Sequence, residues 1–185
     1  MAAIPPVCDF GWKPKDAVLP GTDGGIHSVL GQAGPNGLVV AFICNHCPYV
    51  KAVIARIVRD AADLKAAGIG FVAISSNDAA AYPEDSFPHM ARFARENGFG
   101  FPYLYDESQA VARGFGAACT PDFFGFNGAM ELQYRGRLDA SRKEEGPAEL
   151  RRDLYEAMLE VARSGEGPRE QIASVGCSIK WKDGG

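Results

Sequence analysis

At 185 residues the chain is long enough for one domain with a proper hydrophobic core. Hydrophobic residues make up 46% of it and charged residues 23%, which excludes disordered, collagenous and membrane-spanning classes. The formal net charge is −4 with both signs mixed along the chain, so neither nucleic acid nor an anionic membrane is expected as a partner.

The N-terminus, MAAIPPVCDFGWKPK, lacks a basic start followed by an apolar core, so a cytoplasmic location without a secretory signal is expected. After this lead, Gly37 to Cys44 (GLVVAFIC) reads as a fully buried strand, fenced by the Pro35-Asn36-Gly37 turn signal. It is also the longest apolar run, far too short to cross a bilayer. Pro48 opens a long predicted helix to about Ala67, with Val50, Ile54, Ile57, Ala61 and Leu64 at helical spacing and Gly68 as its stop. Ile69 to Ser75 is a second buried strand. Ser86 is placed to cap a helix through Asn97, ended by Gly98.

Phe101 to Tyr105 reads as an edge strand because of Pro102. Asp106-Glu107-Ser108-Gln109 has capping-box spacing and starts a short helix to about Phe115. Asp122–Phe126 and Glu131–Gly136 are expected to pair across the turn at Asn127. A last helix is expected from Pro147, with Leu150, Leu154, Ala157 and Val161 in one stripe. The order implies an α/β fold, a central mixed sheet with helices on both faces. We divide it into a domain at 1–170 and a tail at 171–185 that carries Cys177.

The chemistry concentrates in Cys44-Asn45-His46-Cys47-Pro48, where the first strand meets the long helix. Five cysteines in a cytoplasmic chain point to redox or metal chemistry more than to structural disulfides, although free cysteine also fills cores. A thiol at a helix N-terminus meets free N–H groups and the positive end of the dipole, which favour its thiolate. Cys47 takes that place, and His46 beside it would add positive charge when protonated. Cys47 is therefore the expected nucleophile, exposed and the fastest thiol to alkylate. Cys8 and Cys119 carry weaker functional readings.

Phe42 to Cys47 resembles the active-site junction of thioredoxin-like proteins, with Val50 where their second cysteine follows. Phe115 to Phe124 resembles their cis-proline segment. The resemblance implies that Pro121 is cis, and that Thr120 before it offers its backbone to a bound thiol or peptide. The longer run NHCPYVK, SSNDAAAYPEDSF, FPYLYDESQ, CTPDFF, YRGRLDASR and SVGCSIKWK resembles peroxiredoxin-like proteins of the alkyl hydroperoxide reductase and thiol-specific antioxidant superfamily. It implies a thioredoxin-like fold and thiol chemistry across nearly the whole chain. Two departures stand out. Val40 and Cys44 occupy the positions where true peroxiredoxins hold Pro and Thr or Ser, and Ala41 replaces the buried Asp of thioredoxins. Arg137 and Arg142 are candidates for the arginine that supports a peroxidatic thiolate.

The expected activity is disulfide reduction or slow peroxide reduction by Cys47, followed by resolution through Cys44 or Cys177, with Cys44 favoured by proximity. An external dithiol of the thioredoxin type or glutathione would complete the cycle. No cofactor is required. A second reading is a copper or zinc module built on Cys44, His46 and Cys47. A third is a scaffold with inert thiols.

Overall fold

The computed structural model describes residues 2–182. The elements begin with strands β1 (Ala2–Ala3), β2 (Val18–Pro20), β3 (Ile26–Ser28) and β4 (Gly37–Phe42). Helices α1 (Pro48–Lys51) and α2 (Ile54–Ala66) come next, then β5 (Ile69–Ser75), α3 (Phe87–Glu96), β6 (Tyr103–Tyr105) and α4 (Ala110–Phe115). The last part holds β7 (Cys119–Thr120), β8 (Asp122–Phe126), β9 (Leu132–Tyr134), α5 (Asp153–Ser164) and β10 (Gly176–Ser178).

A five-stranded sheet in the order β6-β5-β4-β8-β9 forms the centre, with β4, β5 and β6 parallel and β8 and β9 antiparallel to their neighbours. Every residue of β4 is buried, as a central strand covered on both faces requires. Its side chains alternate between two cores. Val39 and Ala41 meet Ile57 and Leu64 of α2, Met90 of α3 and Leu154 of α5. Leu38, Val40 and Phe42 meet Phe124, Phe126 and, from α4, Val111 and Phe115. On this second face Phe42, Phe115 and Phe124 form an edge-to-face trio with centroids 5.4–5.7 Å apart.

The N-terminal lead runs along both margins of this sheet. Gly11 donates its N–H to the Leu132 carbonyl and Leu132 to that of Trp12, so the lead lies along β9. Further on, Thr22 donates to the Tyr103 carbonyl and Gly21 bridges Leu104, so the same segment closes on β6.

Four sequence expectations are corrected, each for a local reason. The long helix is two: Ala52 bonds to the Pro48 carbonyl and Val53 to that of Val50, leaving Val53 at φ −120° outside the helical range before α2 starts. Ser86 does precede α3, but its hydroxyl turns to His89 Nδ1 at 2.7 Å instead of capping an amide. Asp106 acts at a distance, its carboxylate accepting the N–H groups of Val111 and Ala112, so α4 begins four residues later than the capping-box reading placed it. The last helix begins at Asp153, because Arg56 claims the segment before it. The buried Arg56 guanidinium bonds to Asp139 (2.7 Å), Ser141, Glu145 and the carbonyls of Gly146 and Pro147.

The stretch read as a tail is woven in. β10 is the middle strand of a second sheet, order β1-β10-β7, pairing Cys177 with Ala2 on one side and with Thr120 on the other. Ile179 is buried, Trp181 lies under the Arg113 guanidinium at 4.5 Å, and Lys180 and Lys182 engage the Gln109 side chain. Position 1 and positions 183–185 of the expected domain and tail lie outside the described residues.

Candidate active site

Strand β4 delivers Cys44 just beyond its end, and Cys47 stands as the residue before α1, its carbonyl accepting the N–H groups of Val50 and Lys51. The Thr120–Pro121 bond is cis, and it brings the Thr120 peptide to the thiols. Cys47 Sγ lies 3.1 Å from the Thr120 carbonyl oxygen, and Cys44 Sγ lies 3.4 Å from Thr120 Oγ1. Cys177 completes the group, paired opposite Thr120 in the small sheet. Among the residues singled out from the sequence, Cys44, Cys47, Cys177, Thr120 and Pro121 thus converge, and all five cysteines are free.

Ionisation separates the three thiols. Cys47 is lowered from 9.0 to about 4 by hydrogen bonding from the Cys44 thiol, opposed by burial and reinforced by the thiol and main-chain N–H of Cys177. Cys44 is raised by the hydrogen bond it gives to Cys47 and by burial. Burial, then the bond to Cys47, pushes Cys177 up to about 11. One thiolate sits among proton-bearing thiols, an arrangement a negative charge favours. With only four residues, α1 is too short for the helix-dipole effect expected from a long helix, and neighbouring thiols take the larger part.

The exposure expected of Cys47 is not found. Cys47 and Cys44 are both fully buried, and Cys177 on β10 is partly exposed. Cys119 is buried with its thiol donating to the Pro121 carbonyl, and burial raises its pKa. Cys8 is raised to about 11, again by burial first.

His46 faces away from the role sequence assigned to it. Its Nδ1 lies 2.6 Å from Asp85 Oδ2, and its ring stacks on Tyr82 at 5.6 Å and 4°. Asp85, fully buried, also accepts the Asn45 main-chain N–H and the Asn77 amide, so it braces the Cys44–Cys47 loop from below. Tyr103 donates its hydroxyl to Asn45 Oδ1 from the other side. Neither was picked out as a site residue, because only the run PEDSF carried Asp85 and nothing in its spacing marks a buried brace. Asp85 also enters the metal question. Donor atoms of Cys44, His46 and Asp85 lie within 4.8 Å of one another, so the cluster takes Asp85 where Cys47 was expected.

Neither candidate arginine serves the thiolate. Arg137 is held by Asp153 at 2.6 Å, and Arg142 is exposed. Beside the loop opens a groove of about 700 Å³ bordered by Asn45, His46, Lys51, Glu84, His89 and Arg92.

A model of the AhpC/TSA family matches residues 11–138. No curated protein matches the chain. A solved structure of an uncharacterized conserved protein from Geobacillus kaustophilus is 41% identical, with a TM-score of 0.92 over 100% of this chain and 98% of that one. The hypothetical protein SMc02350 from Sinorhizobium meliloti 1021 is 36% identical, TM-score 0.92, over 98% of this chain and 99% of its own. Peroxidoxin BcpB from Mycobacterium tuberculosis, 17% identical, shares the fold at a TM-score of 0.62 over 85% of this chain and 98% of its own. The fold is the thioredoxin-like one.

Proposed function

Since the chain belongs to the AhpC/TSA family, where thiol-dependent redox chemistry is the common function, we propose that it is an oxidoreductase with the Cys47 thiolate as nucleophile. The observation that carries the reading is that Cys44 and Cys177 converge on Cys47 beside the Thr120–Pro121 segment and favour its thiolate over its thiol. The thiolate attacks one sulfur of a disulfide, forming a mixed disulfide and releasing the other sulfur as a thiolate. With a peroxide it takes the terminal oxygen, becoming a sulfenate while an alcohol or water departs. A second thiol of the protein then displaces the adduct, and an external dithiol or glutathione reduces the resulting disulfide. The proposed setting is the cytoplasm, where its five free cysteines would stay reduced.

Titrating the thiolate ultraviolet absorbance tests the reading. One thiol should ionise with a midpoint near 4, and Cys47→Ser should remove that step. A first step no lower than the usual 9.0 would refute it. The same shift sets a sign for stability. Between about 4 and 9.0 the native chain carries the thiolate while the unfolded chain holds the proton, so stability rises with pH across that window and falls away toward 4. Cys47→Ser should flatten the slope.

Peroxide reduction should be slow for the family. Val40 is buried in β4 and Cys44 binds Thr120, so neither supplies the polar groups that would orient a peroxide, and preorganised electrostatics is usually the largest catalytic term. Stopped-flow consumption at ~10⁷ M⁻¹s⁻¹ or faster would count against this.

Metal binding is the second reading, favoured by the cluster of Cys44, His46 and Asp85. It ranks lower because it offers three donors where a structural zinc takes four, and because Asp85 Oδ2 is already bonded to Asn77.

A further inference from the structure

Three thiols surround one peptide, and they differ in access. Cys47 lies at the Thr120 carbonyl and Cys44 at the Thr120 hydroxyl, both fully buried. Cys177 lies across the β10–β7 pair from the same residue and is partly exposed. A disulfide between Cys44 and Cys47 would offer an external thiolate, which must reach a sulfur to displace its partner, two sulfurs that are both buried. A disulfide between Cys47 and Cys177 keeps one sulfur at the surface.

We infer that Cys177 is the resolving thiol and the sulfur at which the external reductant attacks, an assignment that rests on Cys47 being the nucleophile.

Each step balances. When the oxidant is a peroxide, Cys47 becomes a sulfenic acid, and the Cys177 thiol attacks its sulfur. An S–S bond forms, the S–O bond breaks, and water leaves with the thiol proton. When the oxidant is a disulfide, Cys177 instead attacks the mixed disulfide and expels the remaining half as a thiol. An external thiolate next attacks Cys177 Sγ, and the Cys177–Cys47 bond breaks with its electron pair on Cys47. A second external thiol attacks the mixed disulfide on Cys177, regenerating that thiol and giving the oxidised reductant.

The direction of reductive attack follows from the site. The more acidic thiol of a pair leaves faster, and Cys47, lowered to about 4, is the better leaving group against Cys177 at about 11. Cys177 is also placed by a built contact. Gly176 precedes it, and a Cβ there would run into the Thr120 carbonyl, so the glycine lets β10 approach the active-site peptide closely. The strand is three residues long, between neighbours of two, so a small shift at Cys177 disturbs few hydrogen bonds.

The test uses the reduced full chain, treated with one equivalent of hydrogen peroxide or of oxidised glutathione, acid-quenched and mapped by mass spectrometry. A 47–177 link should dominate, and a brief pulse of reduced glutathione should then leave the glutathione on Cys177 and Cys47 free. In Cys177→Ser the link should be lost, with Cys47 ending as a dimedone-trapped sulfenic acid or a glutathione adduct. Cys8→Ser should keep the link. A dominant 44–47 link, or glutathione found on Cys47 after the pulse, overturns the assignment. Oxidation of Cys47 with no 47–177 link overturns it alone, whereas a Cys47 untouched by either oxidant overturns it together with the reading beneath it.

Discussion

Serine at position 47 is expected to reduce disulfide and peroxide turnover to background, a loss on the order of 10⁴-fold or more, as for other enzymes deprived of their nucleophile. A hydroxyl is close enough in shape to keep the 3.1 Å contact to the Thr120 carbonyl, so the variant should fold, losing only the pH-linked stability that the thiolate adds above about pH 4. It is not ionised near neutral pH and cannot form a mixed disulfide. Cys44→Ser is a graded comparison, since Cys44 is the first donor holding Cys47 low, and its replacement should raise the Cys47 midpoint while retaining turnover. Steady-state assays with dithiothreitol as reductant measure both. Turnover in Cys47→Ser within a few-fold of the parent protein would remove Cys47 from the mechanism.

Phe124→Ala should be among the most destabilising single changes. Phe124 is 1% exposed, meets Phe42 and Phe115 edge-on, and carries the Arg135 guanidinium 4.4 Å above its ring. Truncation removes the ring's transfer free energy and leaves a cavity in a face that cannot readily collapse, costing about 3–5 kcal/mol. For a chain of this length that lowers Tm by roughly 6–20 °C. The partner of Arg135 is the buried Asp122 at 3.0 Å, two residues before Phe124 on β8, so the loss spreads to an ion pair. Phe124→Leu should recover most of the difference. Urea unfolding decides the matter, and a cost below about 1 kcal/mol would show that this face repacks freely.

Where local pattern fixes structure, the sequence was readable. The unbroken apolar run of β4, the second apolar run of β5 and the turn at Asn127 each announce their element within a few residues, and the thiol junction follows from them. Resemblance supplied the cis bond at Pro121, which spacing alone does not reveal. What escaped was non-local. β10 is three residues whose meaning lies in pairing with Ala2 at one side and Thr120 at the other, so its Gly-Cys-Ser read as tail. The burial of Cys47 followed from the same oversight, since a thiol next to a helix start is open only if nothing crosses it. Arg56 shows the converse, a helix residue with an ordinary polar appearance whose five partners lie between Asp139 and Pro147 and hold that stretch out of helix.

The lead along β9 and β6 bears on how copies of this protein behave toward one another. An open sheet ends in rows of unpaired amides and carbonyls that invite a neighbouring molecule to continue it. Here Gly11 and Trp12 occupy one such row and Gly21 and Thr22 the other, so a single stretch of chain hems both borders. Trimming that stretch would strip the hem, and light scattering should then show the shortened protein associating at concentrations where the full chain stays dispersed.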